Sequence, residues 1–142
     1  MKTILFVCTG NTCRSPMAAA LCNLLLERSG ENGIRAESAG LAAAQGEPAA
    51  ANAVRAVAEA GGDLSAHRAR QVTPELVARS AAVYVMTPAH AALLQSAFAG
   101  AAGKTALLGA GIPDPFGGDL ATYRRCRDAI AAALRELPEL NL

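Results

Sequence analysis

The stretch "ILFVC" at residues 4–8 is apolar at every position, then gives way at once to "TGNTCR" before "SPM" opens what reads as a helix. A short apolar run rich in branched residues, with no polar face, suits a strand buried on both sides, and such a strand needs helices over both faces of its sheet. The opening unit is therefore strand, loop, helix, and the rest of the chain should repeat that unit to cover the sheet.

The remaining segments fit. "IRAESAG" reads as a second strand and "EPAAANAVRAVAEAGG" as an Ala-rich helix closed by a glycine pair. "TPELVARS" and "TPAHAALLQSAFAG" carry Thr-Pro helix starts, the latter with Thr87 capping and Pro88 first. "AAVYVMT" and "KTALLG" supply the third and fourth strands. "LATYRRCRDAIAAALREL" is a long amphipathic helix with Leu120, Tyr123, Ile130, Leu134 and Leu137 on its buried side. Ser15 is expected to cap the first helix, with Pro16 near its first position and Gly30 at its end. The predicted fold class is α/β: one domain over residues 1–142, a four-stranded parallel sheet with helices on both faces and right-handed connections.

Composition narrows the function classes. With 142 residues, 52% of them hydrophobic, the chain has the length for one core. Thirteen Lys and Arg stand against twelve Asp and Glu, so no overall field recruits nucleic acid or a membrane surface. "MKTILFVC" is too short to span a bilayer or serve as a signal peptide, and a cytoplasmic location is the default expectation. The four cysteines, Cys8, Cys13, Cys22 and Cys126, read as free thiols in a reducing compartment, because a core of this size needs no staples. The chain is expected to act as a monomer.

In a parallel sheet ligands sit beyond the carboxyl ends of the strands, and both the loop after Cys8 and the "AGIPDPFGGD" loop bearing Asp114 leave at that edge. Residues 8–15 hold what a phosphate dianion requires. Gly10 allows the loop to curl so that successive N–H groups face inward, the following helix presents its unpaired amides, and Arg14 adds a planar fork for two oxygens. Cys8, at the strand end and facing that electropositive hollow, is favoured as thiolate and stands as an in-line nucleophile. Cys22 and Arg28 repeat the same spacing, but inside the first predicted helix, where no cradle can form.

The segment "FVCTGNTCRSPMA" resembles the signature of the low-molecular-weight protein tyrosine phosphatase family, and the likeness continues in order through "SAG" at Ser38, "HRARQ" at His67 and "DPFGG" at Asp114. The resemblance implies a four-stranded parallel sheet and phosphorylated proteins as substrates. It makes residues Thr9 to Ser15 a loop for phosphate or another oxyanion, with Cys8 as nucleophile, Arg14 as ligand of the phosphate and transition state, and Asp114 as general acid and then base. No metal or cofactor is implied. Asn11, Ser15, Ser38 and His67 would form the polar support of the loop, Ser15 also stabilising the thiolate. An ordinary half-buried turn histidine remains the alternative for His67.

Within the family, Thr12 and the short "PFGG" rim are similar to the bacterial protein arginine phosphatase branch, which implies phosphoarginine as the favoured substrate, with phosphotyrosine as the alternative. A hydroxyl can bond a guanidinium where a long aliphatic side chain cannot, and Phe116 is the lone aromatic left to stack a ring. Thr12 could instead bond its own backbone. Cys13 is implied as a reversible redox partner for Cys8, and a small buried hydrophobe is the competing reading. Arsenate reductases on this fold pass oxidation along cysteines near the third strand, and "VYVMTPAHAALLQ" contains none. "GAAGKT" lacks the first glycine of a nucleotide loop, Arg124, Arg125 and Arg127 read as a solvated face, and His90 reads as exposed and idle.

Overall fold

The computed structural model describes residues 1–140; Asn141 and Leu142, the last two of the span assigned to the domain, lie outside them. The chain runs β1 (Lys2–Cys8), α1 (Arg14–Arg28), β2 (Ile34–Gly40), α2 (Ala51–Glu59), α3 (Pro74–Arg79), β3 (Ala82–Val85), α4 (Pro88–Ala97), a short 3₁₀ turn (Ala99–Ala101), β4 (Thr105–Leu107) and α5 (Leu120–Arg135). The sheet order is β2-β1-β3-β4 and every pairing is parallel. Alternation along β1 feeds two cores: Ile4, Phe6 and Cys8 pack with α1, α2 and α5, while Leu5 and Val7 pack with α3 and α4. Both faces of the strand are thus buried, as its uninterrupted apolar run requires.

This order fixes the site. From β1 the chain crosses to β2 on one side and then to β3 on the other, so the loops after β1 and β3 diverge over opposite faces of the sheet. They leave a crevice at the carboxyl end of β1, the switch point where open α/β sheets bind ligands. Thr73 and Thr87 cap α3 and α4, each accepting a bond from the amide three residues on, and contribute about 1 kcal/mol apiece. Among the described residues no helix is long and apolar enough to cross a membrane.

Several expectations need correction. Ser15 is not a cap: α1 begins at Arg14, its N-cap Cys13 makes no side-chain capping bond, and the Ser15 hydroxyl is turned toward the site. Leu120 is half-buried, at the helix start where the chain is still leaving the loop. The arginines of α5 are more than a solvated face, since Arg124 and Arg127 both pair with Glu59 and tie α5 to α2. That double pairing pulls the Glu59 carboxyl down to about 2.

Candidate active site

Beyond Cys8 the chain curls, and the reason is visible in where its carbonyls go. The carbonyl of Cys8 accepts from Leu41 N at 2.9 Å, that of Thr9 from Ala42 N at 2.9 Å, and that of Thr12 from Ala50 N at 2.9 Å. The Asn11 carbonyl takes the His67 ring Nε2 at 2.7 Å, which requires the hydrogen on that nitrogen. With the carbonyls drawn outward, the amides turn inward. Among the described residues none accepts a hydrogen bond from the amides of Gly10, Asn11, Thr12, Cys13 or Arg14, so the ring of donors is free for an anion.

The unusual backbone angle in this loop belongs to Asn11, not to Gly10. Asn11 has φ 56°, the only positive φ at a non-glycine among the described residues. Asn tolerates that region better than most residues, and here its side chain is fully engaged. Its amide nitrogen donates to Ser15 Oγ at 2.8 Å and Ser38 Oγ at 3.0 Å, and its oxygen accepts from Arg70 N at 2.9 Å. Arg70 Nε also donates to the Ser38 carbonyl at 2.9 Å. The glycine that the loop needs is Gly40, at the end of β2, where a Cβ would lie 2.6 Å from the Thr9 carbonyl oxygen and 3.1 Å from Asn11 Cβ.

Cys8 Sγ lies 2.9 Å from Ser15 Oγ. Ser15 Oγ accepts from Asn11, so its one hydrogen can go to the sulfur or to the Ala39 carbonyl at 3.3 Å. A thiol at position 8 can donate to Ser15 while Ser15 donates to Ala39; a thiolate draws the Ser15 hydrogen onto sulfur. The site thus provides a partner for both protonation states.

Arg14 opens α1 and is buried. Its NH1 donates to the Ile112 carbonyl at 3.0 Å and its NH2 stands 3.7 Å from Asp114 Oδ2, which brings the Asp114 loop to the mouth of the cradle. Asp114 itself is 55% exposed, and its other oxygen accepts the Phe116 amide at 3.0 Å. A cavity of about 290 Å³ is lined by Cys8, Thr9, Gly10, Thr12, Cys13, Arg14, Glu47, Asp114 and Phe116. A larger hollow of about 410 Å³ behind the loop touches Ser38, His67, Arg68 and Arg70 but is lined by no cysteine.

All four cysteines are free. Cys13 is buried with Sγ 3.2 Å from the Tyr123 hydroxyl; burial pushes its thiol up, and the Tyr123 bond offsets part of that. Cys22 and Cys126 are pushed up to about 12, mainly by burial. Thr12 is half-buried on the cavity wall, 3.8 Å from Cys13 Sγ, and Phe116 is 79% exposed at the rim.

His90 is the residue that sequence reasoning set aside and the structure brings in. It is buried, its Nε2 lies 2.8 Å from Thr9 Oγ1, and its Nδ1 is the one buried side-chain polar atom without a partner among the described residues. A signal was available: Thr87 and Pro88 start α4 directly after β3, so the third helical residue sits at the same sheet edge as the Cys8 loop. Burial holds its imidazole below the ordinary value, and the nearby Arg14 guanidinium adds to that.

The family described as "Low molecular weight phosphotyrosine protein phosphatase" matches residues 3–140. A protein named "Protein-arginine-phosphatase" from Geobacillus stearothermophilus is 40% identical, with 96% of this chain and 93% of that protein covered. A "Probable low molecular weight protein-tyrosine-phosphatase EpsP" from Ralstonia nicotianae is 39% identical over 92% of this chain and 89% of that protein. Among solved structures, a low molecular weight protein tyrosine phosphatase from T. tengcongensis superposes with a TM-score of 0.92 at 34% identity, covering 98% of this chain and 99% of that one.

Proposed function

The chain belongs to the low molecular weight phosphotyrosine protein phosphatase family, and from that premise we propose that it hydrolyses phosphorylated protein side chains through a phosphocysteine, with phosphoarginine favoured. The observation that carries this reading is the convergence of the Cys8 sulfur, the inward amides, Arg14 and Asp114 on one cavity of about 290 Å³. Substrate phosphate seats on the amides of residues 10–14 and the Arg14 fork, which neutralise its equatorial oxygens. The Cys8 thiolate attacks phosphorus in line, a P–S bond forms, and the bond to the side-chain nitrogen or oxygen breaks as Asp114 gives that atom its proton. Water then attacks phosphorus, Asp114 takes a proton, the P–S bond breaks and inorganic phosphate leaves. Ser15 donates to the sulfur as it departs, and Asn11, Ser38 and His67 hold the loop in shape.

Nucleophile, arginine and acid come from one chain, so the reaction needs no second copy. It does need a reducing setting such as the cytoplasm, because oxidised Cys8 cannot attack. Peroxide would oxidise Cys8 to a sulfenic acid; attack of the Cys13 sulfur would then form the S–S bond and release the sulfenic oxygen as water, a reversible stop. A thiol relay of the arsenate reductase kind fits poorly, since Cys22 and Cys126 are buried with thiols held protonated.

Thr12 on the cavity wall supports phosphoarginine, and the relatives named above include both arginine and tyrosine phosphatases. The phosphotyrosine reading has one observation in its favour, the exposed Phe116 ring at the rim, which could stack a phenyl group. Hydrolysis of phosphoarginine and phosphotyrosine peptides by the wild type and by Thr12→Ile separates the two. The proposal expects a phosphoarginine preference that weakens or reverses in Thr12→Ile; an unchanged preference contradicts the selectivity account and leaves the phosphatase reading standing.

A further inference from the structure

The charges around the Cys8 cavity are arranged in two tiers. Its base is built for an anion, with Arg14 and the inward amides, yet two carboxylates, Asp114 and Glu47, stand on its walls. A ligand bearing only negative charge gains at the base and loses at the rim. A phosphoryl group attached to a group rich in N–H donors matches both tiers.

Asp114 is already occupied in part by Arg14 and by the Phe116 amide. Glu47 is not. Acids with a structural task in this fold are neutralised: the half-buried Glu37 pairs with Arg70 and Arg79, and the exposed Glu59 with Arg124 and Arg127. The Glu47 carboxylate forms no ion pair and no hydrogen bond with any described residue.

Its backbone, by contrast, is held firmly. Glu47 N donates to the Ala44 carbonyl at 3.1 Å, the Glu47 carbonyl accepts from Ala69 N at 2.7 Å, and the next residue, Pro48, bridges antiparallel to Arg68. The same segment is stitched to the cradle through Ala42 and Ala50. The pinned backbone keeps an unpaired carboxylate at the mouth of the anion site, where only the side chain has to be ordered when it accepts a bond.

We propose that Glu47 is a specificity-determining residue whose carboxylate accepts N–H bonds from the guanidinium of a phosphorylated arginine while its phosphoryl group sits on the loop. The inference rests on the phosphatase reading above. A guanidinium offers donors in a planar fork that suits a carboxylate, and it keeps N–H groups on the nitrogens that do not carry phosphorus. A phenyl ring offers none, so the acidic rim gives phosphotyrosine nothing in return for its repulsion.

The test measures kcat/KM for matched phosphoarginine and phosphotyrosine peptides with the wild type, Glu47→Gln and Glu47→Lys, at low and high salt. The expected result is a fall in the arginine-to-tyrosine ratio of about tenfold in Glu47→Gln, the size of one charge-assisted hydrogen bond, carried by KM for the phosphoarginine peptide. Glu47→Lys should lower the ratio further. Added salt should reduce the wild-type ratio and leave that of Glu47→Gln nearly flat. An unchanged ratio in both variants, with the wild type still preferring phosphoarginine, overturns the role of Glu47 alone. A wild type that hydrolyses the phosphotyrosine peptide and ignores phosphoarginine overturns both this inference and the substrate reading beneath it.

Discussion

The Ser15 hydroxyl lies 2.9 Å from the Cys8 sulfur and 2.8 Å from the Asn11 amide nitrogen, so a residue of the first turn of α1 links the proposed nucleophile to the residue with the loop's positive φ. Because Asn11 occupies a lone pair of that oxygen, the Ser15 hydrogen is directed at sulfur whenever sulfur carries charge. Ser15→Ala should lower kcat by about 10- to 100-fold, the value of one hydrogen bond to a charged group, and should slow alkylation of Cys8 by iodoacetamide at neutral pH. Stopped-flow turnover and mass-resolved alkylation check the two effects separately.

Asp114 reaches the cradle through its 3.7 Å approach to Arg14 and is 55% exposed, which leaves it open to a leaving group or a water in the role proposed for it. Asp114→Asn should reduce turnover by about 10² to 10⁴ with a poor leaving group such as an alkyl phosphate. The loss should shrink with p-nitrophenyl phosphate, whose leaving group needs little protonation. The pair of substrates distinguishes lost acid catalysis from a displaced loop, which would harm both equally.

Much of this site was legible because its residues are contiguous or sit at ends of elements whose period is plain. The run "ILFVC" required a strand covered on both faces, and the alternating pattern required parallel neighbours, so Cys8 and Asp114 had to share an edge. What the chain did not disclose lies in contacts between segments. That Asn11 rather than Gly10 takes the positive φ depends on Ser38 and Arg70, which reach it from far along the sequence. Gly40 is required by the carbonyl of Thr9, and a lone glycine after "SA" carries no local mark of that. His90 belongs to no motif; the Thr87-Pro88 helix start after β3 puts it at the right edge, but its bond to Thr9 shows only once α4 is set beside the loop. Glu47 sits in a stretch with no regular element, and its carboxylate gains meaning only from the cavity it borders.

His90 and His67 share a thermodynamic signature. Burial holds both imidazoles below the ordinary value of 6.5 in the folded protein. As pH falls past that value the unfolded chain takes up protons that the folded chain refuses, so stability declines on acidification and is regained above it. Thermal denaturation followed from about pH 8 down to about pH 5.5 should give a falling Tm, with a shallower decline in His90→Gln. The same variant loses the ring that meets Thr9, and kcat/KM should fall about fivefold with the pH dependence of activity altered, which loss of packing alone would not produce.

The central claim is that the sulfur at position 8 becomes covalently bonded to phosphorus. Acid quenching of the enzyme during turnover of p-nitrophenyl phosphate, followed by mass mapping of its peptides, tests this directly. The account predicts a phosphoryl group on the Cys8 sulfur, accumulating in Asp114→Asn when a good leaving group makes the first step fast, with no P–S-linked adduct in Cys8→Ser. Turnover with no covalent phosphoenzyme at any quench time, or with the phosphoryl group on another side chain, would contradict it.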